Sequence, residues 1–204
     1  MATYELFPGN PDNRVLQQVA NELINGDIII CPTDTLYAFM CKLSNRNGIE
    51  KICRLVGKKP EKANLSIICS DLKHISDYTQ QFSKNIYKLM NRNLPGPVTF
   101  ILNANNKVPK LFLSNRKTIG IRVPDHKVPL SLVELIDEPL VCASVHHPED
   151  LAQMLSEIGE IETFYKNSVT SIIDCGDGGT MGSAIVDCTG EEPIMVREGA
   201  AEIK

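Results

Sequence analysis

The stretch Asp27-Ile28-Ile29-Ile30-Cys31-Pro32-Thr33-Asp34-Thr35 decides how this chain is built. Its unbroken apolar run is too short for a helix and lacks the alternation of a half-exposed strand. That leaves a strand over 27–31, buried on both faces. Pro32 cannot donate to a sheet ladder, so the strand stops there and residues 32–35 form a loop at its carboxyl end. Upstream, Val15, Leu16, Val19, Ala20, Leu23 and Ile24 share one stripe of a helix over 12–25, and Gly26 supplies the stop. Downstream, Ile49, Ile52, Cys53 and Val56 point inward from a helix over about 45–56. A buried strand between two amphipathic helices predicts an α/β layer structure.

Further strands are predicted at 65–69, 98–102, 118–123, 140–144, 171–175, 183–188 and 194–197. Helices are predicted near 71–78, 82–93, 128–136 and 148–158, and Leu94-Pro95-Gly96-Pro97 is a turn by composition. The close spacing of the last strands predicts some antiparallel pairing and hence a mixed sheet. No repeat or linker divides the 204 residues, which suits a single domain. At 43% hydrophobic and 23% charged, the composition excludes disorder, collagen and coiled coil. No apolar run approaches the roughly 18 residues of a membrane span, and the first thirteen residues are too polar for a signal peptide. The seven cysteines are dispersed, odd in number and never spaced C-x-x-C, which points to reduced thiols in a cytoplasmic protein.

The net charge of −4 hides a segregation. Residues 1–41 carry one base against five acids, residues 42–127 seventeen bases against five acids, and residues 128–204 three bases against fifteen acids. Between Asp77 and Asp125 there is no acid, while Lys84, Lys88, Arg92, Lys107, Lys110, Arg116, Lys117 and Arg122 accumulate. Such polarity suits a polyanionic partner such as RNA, or a bound nucleotide. It suits equally an acidic half that folds back and neutralises the basic one.

Several short stretches could carry chemistry. The Pro32-Thr33-Asp34-Thr35 loop lies where open α/β sheets place ligands, and its hydroxyls and carboxylate can bind amino or hydroxyl groups, hold a hydrated cation, or simply satisfy a turn. Lys58 and Lys59 end the second helix, where they either complement its dipole or clamp phosphates. In Lys117-Thr118-Ile119-Gly120-Ile121-Arg122-Val123-Pro124, alternation puts Thr118, Gly120 and Arg122 on one face and the isoleucines with Val123 on the other. An apolar face fixed in the core would hold Arg122 rigidly for a carboxylate or phosphate. Cys142, Ser144 and His146 are spaced to share a strand face, without forming a convincing triad, and His146-His147 lacks partners for a metal. Gly176 to Gly182 is glycine-rich but is neither a P-loop nor a dinucleotide fingerprint; it suits a mobile lid or a long hairpin connection.

Taken together the chain resembles the YrdC family, and most closely its YciO branch. The resemblance is carried by P-T-D-T-L-Y-A (32–38), L-P-G-P-V-T-F-I-L (94–102), T-I-G-I-R-V-P (118–124), S-V-H (144–146), S-A-I-V-D (183–187) and V-R-E-G-A (196–200). It implies a twisted mixed sheet with flanking helices and an open, positively charged cavity. Catalytic members make L-threonylcarbamoyladenylate from threonine, bicarbonate and ATP with Mg2+ for tRNA modification, and members have been described as binding double-stranded RNA. On that resemblance Arg122 would hold the threonine carboxylate, assisted by Thr33 or Thr35. Cys142 and Ser183 would lie on the threonine side, and Thr118, Ser144, His146 and Arg197 on the nucleotide side. Lys58 and Lys59 would meet the phosphates. The chain departs from the family where a K-x-R-P motif is expected: Lys59-Pro60 stands at R-P, Gly57 at the motif's lysine, and Lys58 beside it. It departs again where S-x-N is replaced by Ser144-Val145-His146. Three functions compete: a synthase-type enzyme using ATP and threonine, an RNA-binding module on the same fold, and a non-catalytic binder of a small anionic metabolite or nucleotide.

Overall fold

The computed structural model describes residues 1–63, 65–110 and 117–204, so Arg116 lies outside the described residues. Ten strands form one mixed sheet in the order β1-β8-β2-β3-β7-β4-β6-β5-β9-β10. In chain order these are β1 (Ala2–Glu5), β2 (Ile29–Cys31), β3 (Ala38–Lys42), β4 (Ser66–Ile68), β5 (Val98–Asn103), β6 (Thr118–Arg122), β7 (Leu140–Ser144), β8 (Ser171–Asp174), β9 (Ala184–Asp187) and β10 (Ile194–Arg197). The helices are α1 (Asn13–Ile24), α2 (Arg46–Leu55), α3 (Leu72–Ser76), α4 (Lys84–Asn93), α5 (Lys127–Ile136) and α6 (Ile158–Tyr165).

Alternation along the strands divides the apolar side chains between two layers. Ile30, Phe39, Cys41, Ile67, Phe100, Ile119, Ile121, Val141 and Ile172 face a core closed by α2, α3, α4 and α6. Ile29, Cys31, Ala38, Met40, Ile68, Leu140, Cys142 and Ile173 face a second core closed by Leu16, Val19, Ala20 and Leu23 of α1 and by Val128, Leu132 and Val133 of α5. The second core ends at β4: among the described residues, no side chain of β6, β5, β9 or β10 joins it. Two helices cannot cover ten strands, so the four strands β6, β5, β9 and β10 are left without a helical lid on that face. The site lies there.

The structure corrects the sequence reading in four places. Strands β1 and β3 were not expected; β3 is buried on both faces like β2 and pairs antiparallel with it, Ile30 opposite Phe39. The helix expected near 148–158 does not form, and the helix of this region is α6. In its place the segment folds back on the end of β7. His147 N donates to Gln153 O at 2.8 Å, Leu155 N to Val145 O at 3.2 Å, and Leu155 is buried in the larger core. Finally, the glycine-rich stretch is not a hairpin connection, because β8 and β9 lie at opposite ends of the sheet and the stretch crosses between them.

Candidate functional site

Where the second core gives way to the uncovered strands, small polar groups are set side by side by strand register. Cys142 on β7, Ser66 on β4 and Gly120 on β6 are neighbours across three strands. A Cβ on Gly120 would lie 3.2 Å from Ser66 Cβ and 3.3 Å from Thr99 Cγ2 on β5. Ser66 Oγ is 3.2 Å from Cys142 Sγ, and Thr99 Oγ1 is 2.8 Å from Ser183 Oγ. Two residues further along their strands, toward a common end, Thr118 and Ser144 are half-buried on the same face.

Arg122 is the charged centre. Its neighbours Ile119 and Ile121 are locked in the core, so the arginine leaves β6 on the polar side, as the alternation predicts. Its Nη2 donates to Asp34 Oδ1 at 2.5 Å and to Thr35 Oγ1 at 3.1 Å, while its Nε is buried without a partner. Thr33 Oγ1 is 3.0 Å from Thr35 Oγ1 and donates to Leu36 O at 2.7 Å. Asp34 Oδ2 accepts from the Asp125 amide at 2.9 Å. The loop after β2 is thereby fastened to the loop after β6 around one guanidinium. Cys142 is close enough to feel this charge: burial pushes its thiol up, and Arg122 and the Ser66 hydrogen bond oppose that only in part. It stays protonated and is no nucleophile.

The glycine-rich crossing roofs the same loop. Gly179 N donates to Thr35 O at 2.7 Å, so closely that a Cβ on Gly179 would sit 2.3 Å from that oxygen. Tyr37 Oη donates to Gly176 O at 2.6 Å and accepts from Cys175 N at 3.1 Å, anchoring the start of the crossing. At its far end, Arg197 on exposed β10 donates from Nη2 to Ser183 O at 2.7 Å, with Gly182 beneath the guanidinium.

Of the residues expected in a site, Thr33, Thr35 and Arg122 form one hydrogen-bonded group with Cys142 near it, and Ser183 and Arg197 are bonded directly in a second group that includes Thr99. Both lysines are exposed after α2, and Lys58 is near enough to His146 for its charge to be felt there. His146 is half-buried, its Nδ1 has no partner, and burial followed by the Lys58 charge holds its imidazole below the usual range. Lys59 precedes a single 3-10 turn, Pro60–Lys62, and makes no ion pair among the described residues. Gly57 has a left-handed backbone (φ 66°), and Leu151 Cδ1 lies 2.7 Å from where its Cβ would be. A lysine at this position would be strained and would strike the folded-back segment, so the departure from K-x-R-P is built into the fold.

Ser66 and Thr99 escaped the sequence reading as site residues, and Asp34 entered it only as the carboxylate of its loop, without its partner. Asp34 looks like a turn residue until its partner 88 positions away is known, and the two hydroxyls sit in strands otherwise read as core. Strand alternation was the available signal for both.

No helix among the described residues is long and apolar enough to cross a membrane. The Sua5/YciO/YrdC family model, described as "Telomere recombination", matches residues 21–199. An uncharacterised Haemophilus influenzae protein is 35% identical over 97% of this chain and 95% of its own length. Escherichia coli YciO is 34% identical over 98% of this chain and 97% of its own, and its crystal structure superposes with a TM-score of 0.92 over the whole chain and 98% of that structure. Pyrococcus abyssi Sua5 complexed with L-threonine shares the fold at a TM-score of 0.85 and 20% identity, over 98% of this chain and 58% of that one. The chain belongs to the Sua5/YciO/YrdC family.

Proposed function

We propose that the uncovered face binds a nucleotide together with a small carboxylic acid, and that the protein is a nucleotide-binding enzyme of the L-threonylcarbamoyladenylate synthase type. One observation carries this reading: a rigid, buried guanidinium with an unused Nε stands close to a row of small polar side chains. The threonylcarbamoyl-AMP synthases among the relatives, and the relative captured with L-threonine, name the substrates.

In this reading Arg122 holds the threonine carboxylate with Thr33 and Thr35 beside it, and Cys142 and Ser183 border the side chain. Thr118, Ser144, His146 and Arg197 meet the nucleotide, and Lys58 and Lys59 receive the phosphates. Among the described residues no group of three or more His, Cys, Asp or Glu side chains is arranged to hold a metal ion. Magnesium is therefore read as entering with the triphosphate, held mainly by phosphate oxygens and water. The threonine ammonium gives up a proton and its nitrogen attacks bicarbonate, a C–O bond breaking with release of water, to give a carbamate whose oxygen attacks the α-phosphorus and expels pyrophosphate. The protein supplies placement and charge neutralisation, with no side-chain nucleophile. Pyrophosphate release from ATP, threonine, bicarbonate and magnesium tests it. Threonine-dependent release abolished by Arg122→Ala is expected; none at any substrate level leaves a non-catalytic binder of nucleotide or small anion.

A second reading, RNA binding, is favoured by a separate observation. Lys84, Lys88 and Arg92 recur at four-residue spacing on the exposed side of α4. Among the described residues, the one ion pair joining the basic middle to the acidic C-terminal segment is Lys42 with Glu138, 3.2 Å apart. The acidic half thus does not neutralise this surface by pairing. Affinity for double-stranded RNA or tRNA should fall steeply with salt, and the slope should shrink in Lys84→Ala/Lys88→Ala. Absence of binding at low salt would end this reading.

A further inference from the structure

Arg122 does not present a free positive charge. Asp34 accepts from its Nη2, and both side chains are less than one-tenth exposed, so the local field is that of a neutral pair. The second Asp34 oxygen takes the Asp125 amide, which fixes the carboxylate in place without exhausting its lone pairs. On the arginine side, Nε remains a buried donor with nothing to donate to. Other titratable groups in reach are Asp125, His126 and Cys142. Burial holds the His126 imidazole toward its neutral form and keeps Cys142 a thiol, so neither supplies a cation for Asp34.

The subsite therefore offers an unused N–H donor beside a fixed negative charge. A ligand that is only a carboxylate gains at Nε and loses by facing Asp34. A ligand with an ammonium on the carbon next to its carboxylate satisfies both groups. We propose that Asp34 is the specificity-determining residue of this subsite, selecting α-amino acid zwitterions over plain carboxylates by accepting from the ammonium while it holds Arg122 for the carboxylate. This rests on the proposed function, in which Arg122 is the carboxylate-binding group.

Calorimetric titration of the intact protein tests it with three probes: L-threonine; 2,3-dihydroxybutyrate, which has a hydroxyl in place of the ammonium; and L-threoninamide, which lacks the carboxylate. Wild type should prefer L-threonine over the hydroxy acid by about tenfold or more, as expected for a hydrogen bond between charged groups, and should not bind the amide. Asp34→Asn should bring the two acids to similar affinity, a change of ratio that a merely structural role would not produce. Asp34→Glu should keep a preference for threonine, and Arg122→Ala should lose both acids. Thermal melts establish that each variant is folded; should Asp34→Asn not fold, the wild-type and Asp34→Glu ratios decide. Equal affinity of wild type for both acids, or an undiminished preference in folded Asp34→Asn, overturns the role of Asp34 and leaves the carboxylate site standing. Binding of neither acid by wild type overturns the proposed function and this inference with it.

Discussion

Replacing Arg122 by methionine keeps most of the side-chain stem and removes only the guanidinium. The side chains of Arg122 and Asp34 are 8% and 7% exposed, against 58% and 53% for the surface pair of Lys107 and Asp77. Removing one member of a buried pair leaves the other charge desolvated, at a cost of about 3–5 kcal/mol, whereas exposed pairs contribute less than about 1 kcal/mol. For a chain of this length each kcal/mol moves the melting temperature by about 2–4 °C, so Arg122→Met should melt roughly 6–20 °C lower. Lys107→Met should barely move. Urea unfolding followed by circular dichroism measures the loss. The double variant Asp34→Asn/Arg122→Met should lose less than the sum of the single variants, with a coupling of about 1–3 kcal/mol. A cost for Arg122→Met no larger than that for Lys107→Met, or strict additivity, would refute the claim that one buried pair fastens the two loops.

Gly179→Ala forces a methyl group onto Thr35 O and should cost about 1–3 kcal/mol in urea unfolding while weakening L-threonine binding, because the contact is part of the site. Gly57→Lys restores the lysine of the family motif, yet its left-handed backbone and the Leu151 contact predict about 1–3 kcal/mol of destabilisation and no gain in pyrophosphate release. His146 is held low, so the unfolded chain takes up its proton more readily than the folded one. Its contribution to stability is full above the ordinary histidine value of about 6.5 and is lost as the pH falls through the lower folded value. His146→Asn should therefore flatten the decline of melting temperature below about pH 6.5. Part of the decline should remain, because burial also holds His74 and His126 low.

Legibility in the sequence tracked how local each determinant was. The helical stripe before Gly26 and the alternation around Arg122 depend on near neighbours, and α1 and β6 formed where expected. The expected helix near 148–158 failed because the segment turns back on the end of β7, Leu155 N bonding Val145 O, and buries Leu155 in the larger core, which overrides its helical spacing. Strand β1 has a half-exposed Ala-Thr-Tyr-Glu sequence that gives no strong signal until β8 lies beside it. Arg122 was recognisable as a rigid cation; that Asp34 neutralises it was not, since nothing in a Thr-Asp-Thr loop announces a partner 88 residues on. Nothing local to Lys58 announces that its charge is felt at His146, 88 residues away.

The position of β8 has a consequence for synthesis. It lies between β1 and β2, and Ile172 is paired with both Thr3 and Ile30. Among the described residues β1 has no other neighbour in the sheet, so it waits on the ribosome until residues 171–174 emerge before its hydrogen bonds can close. A nascent chain arrested short of that point holds β1 and the outer edge of β2 without a partner, exposed to chaperones or to other copies in the polysome.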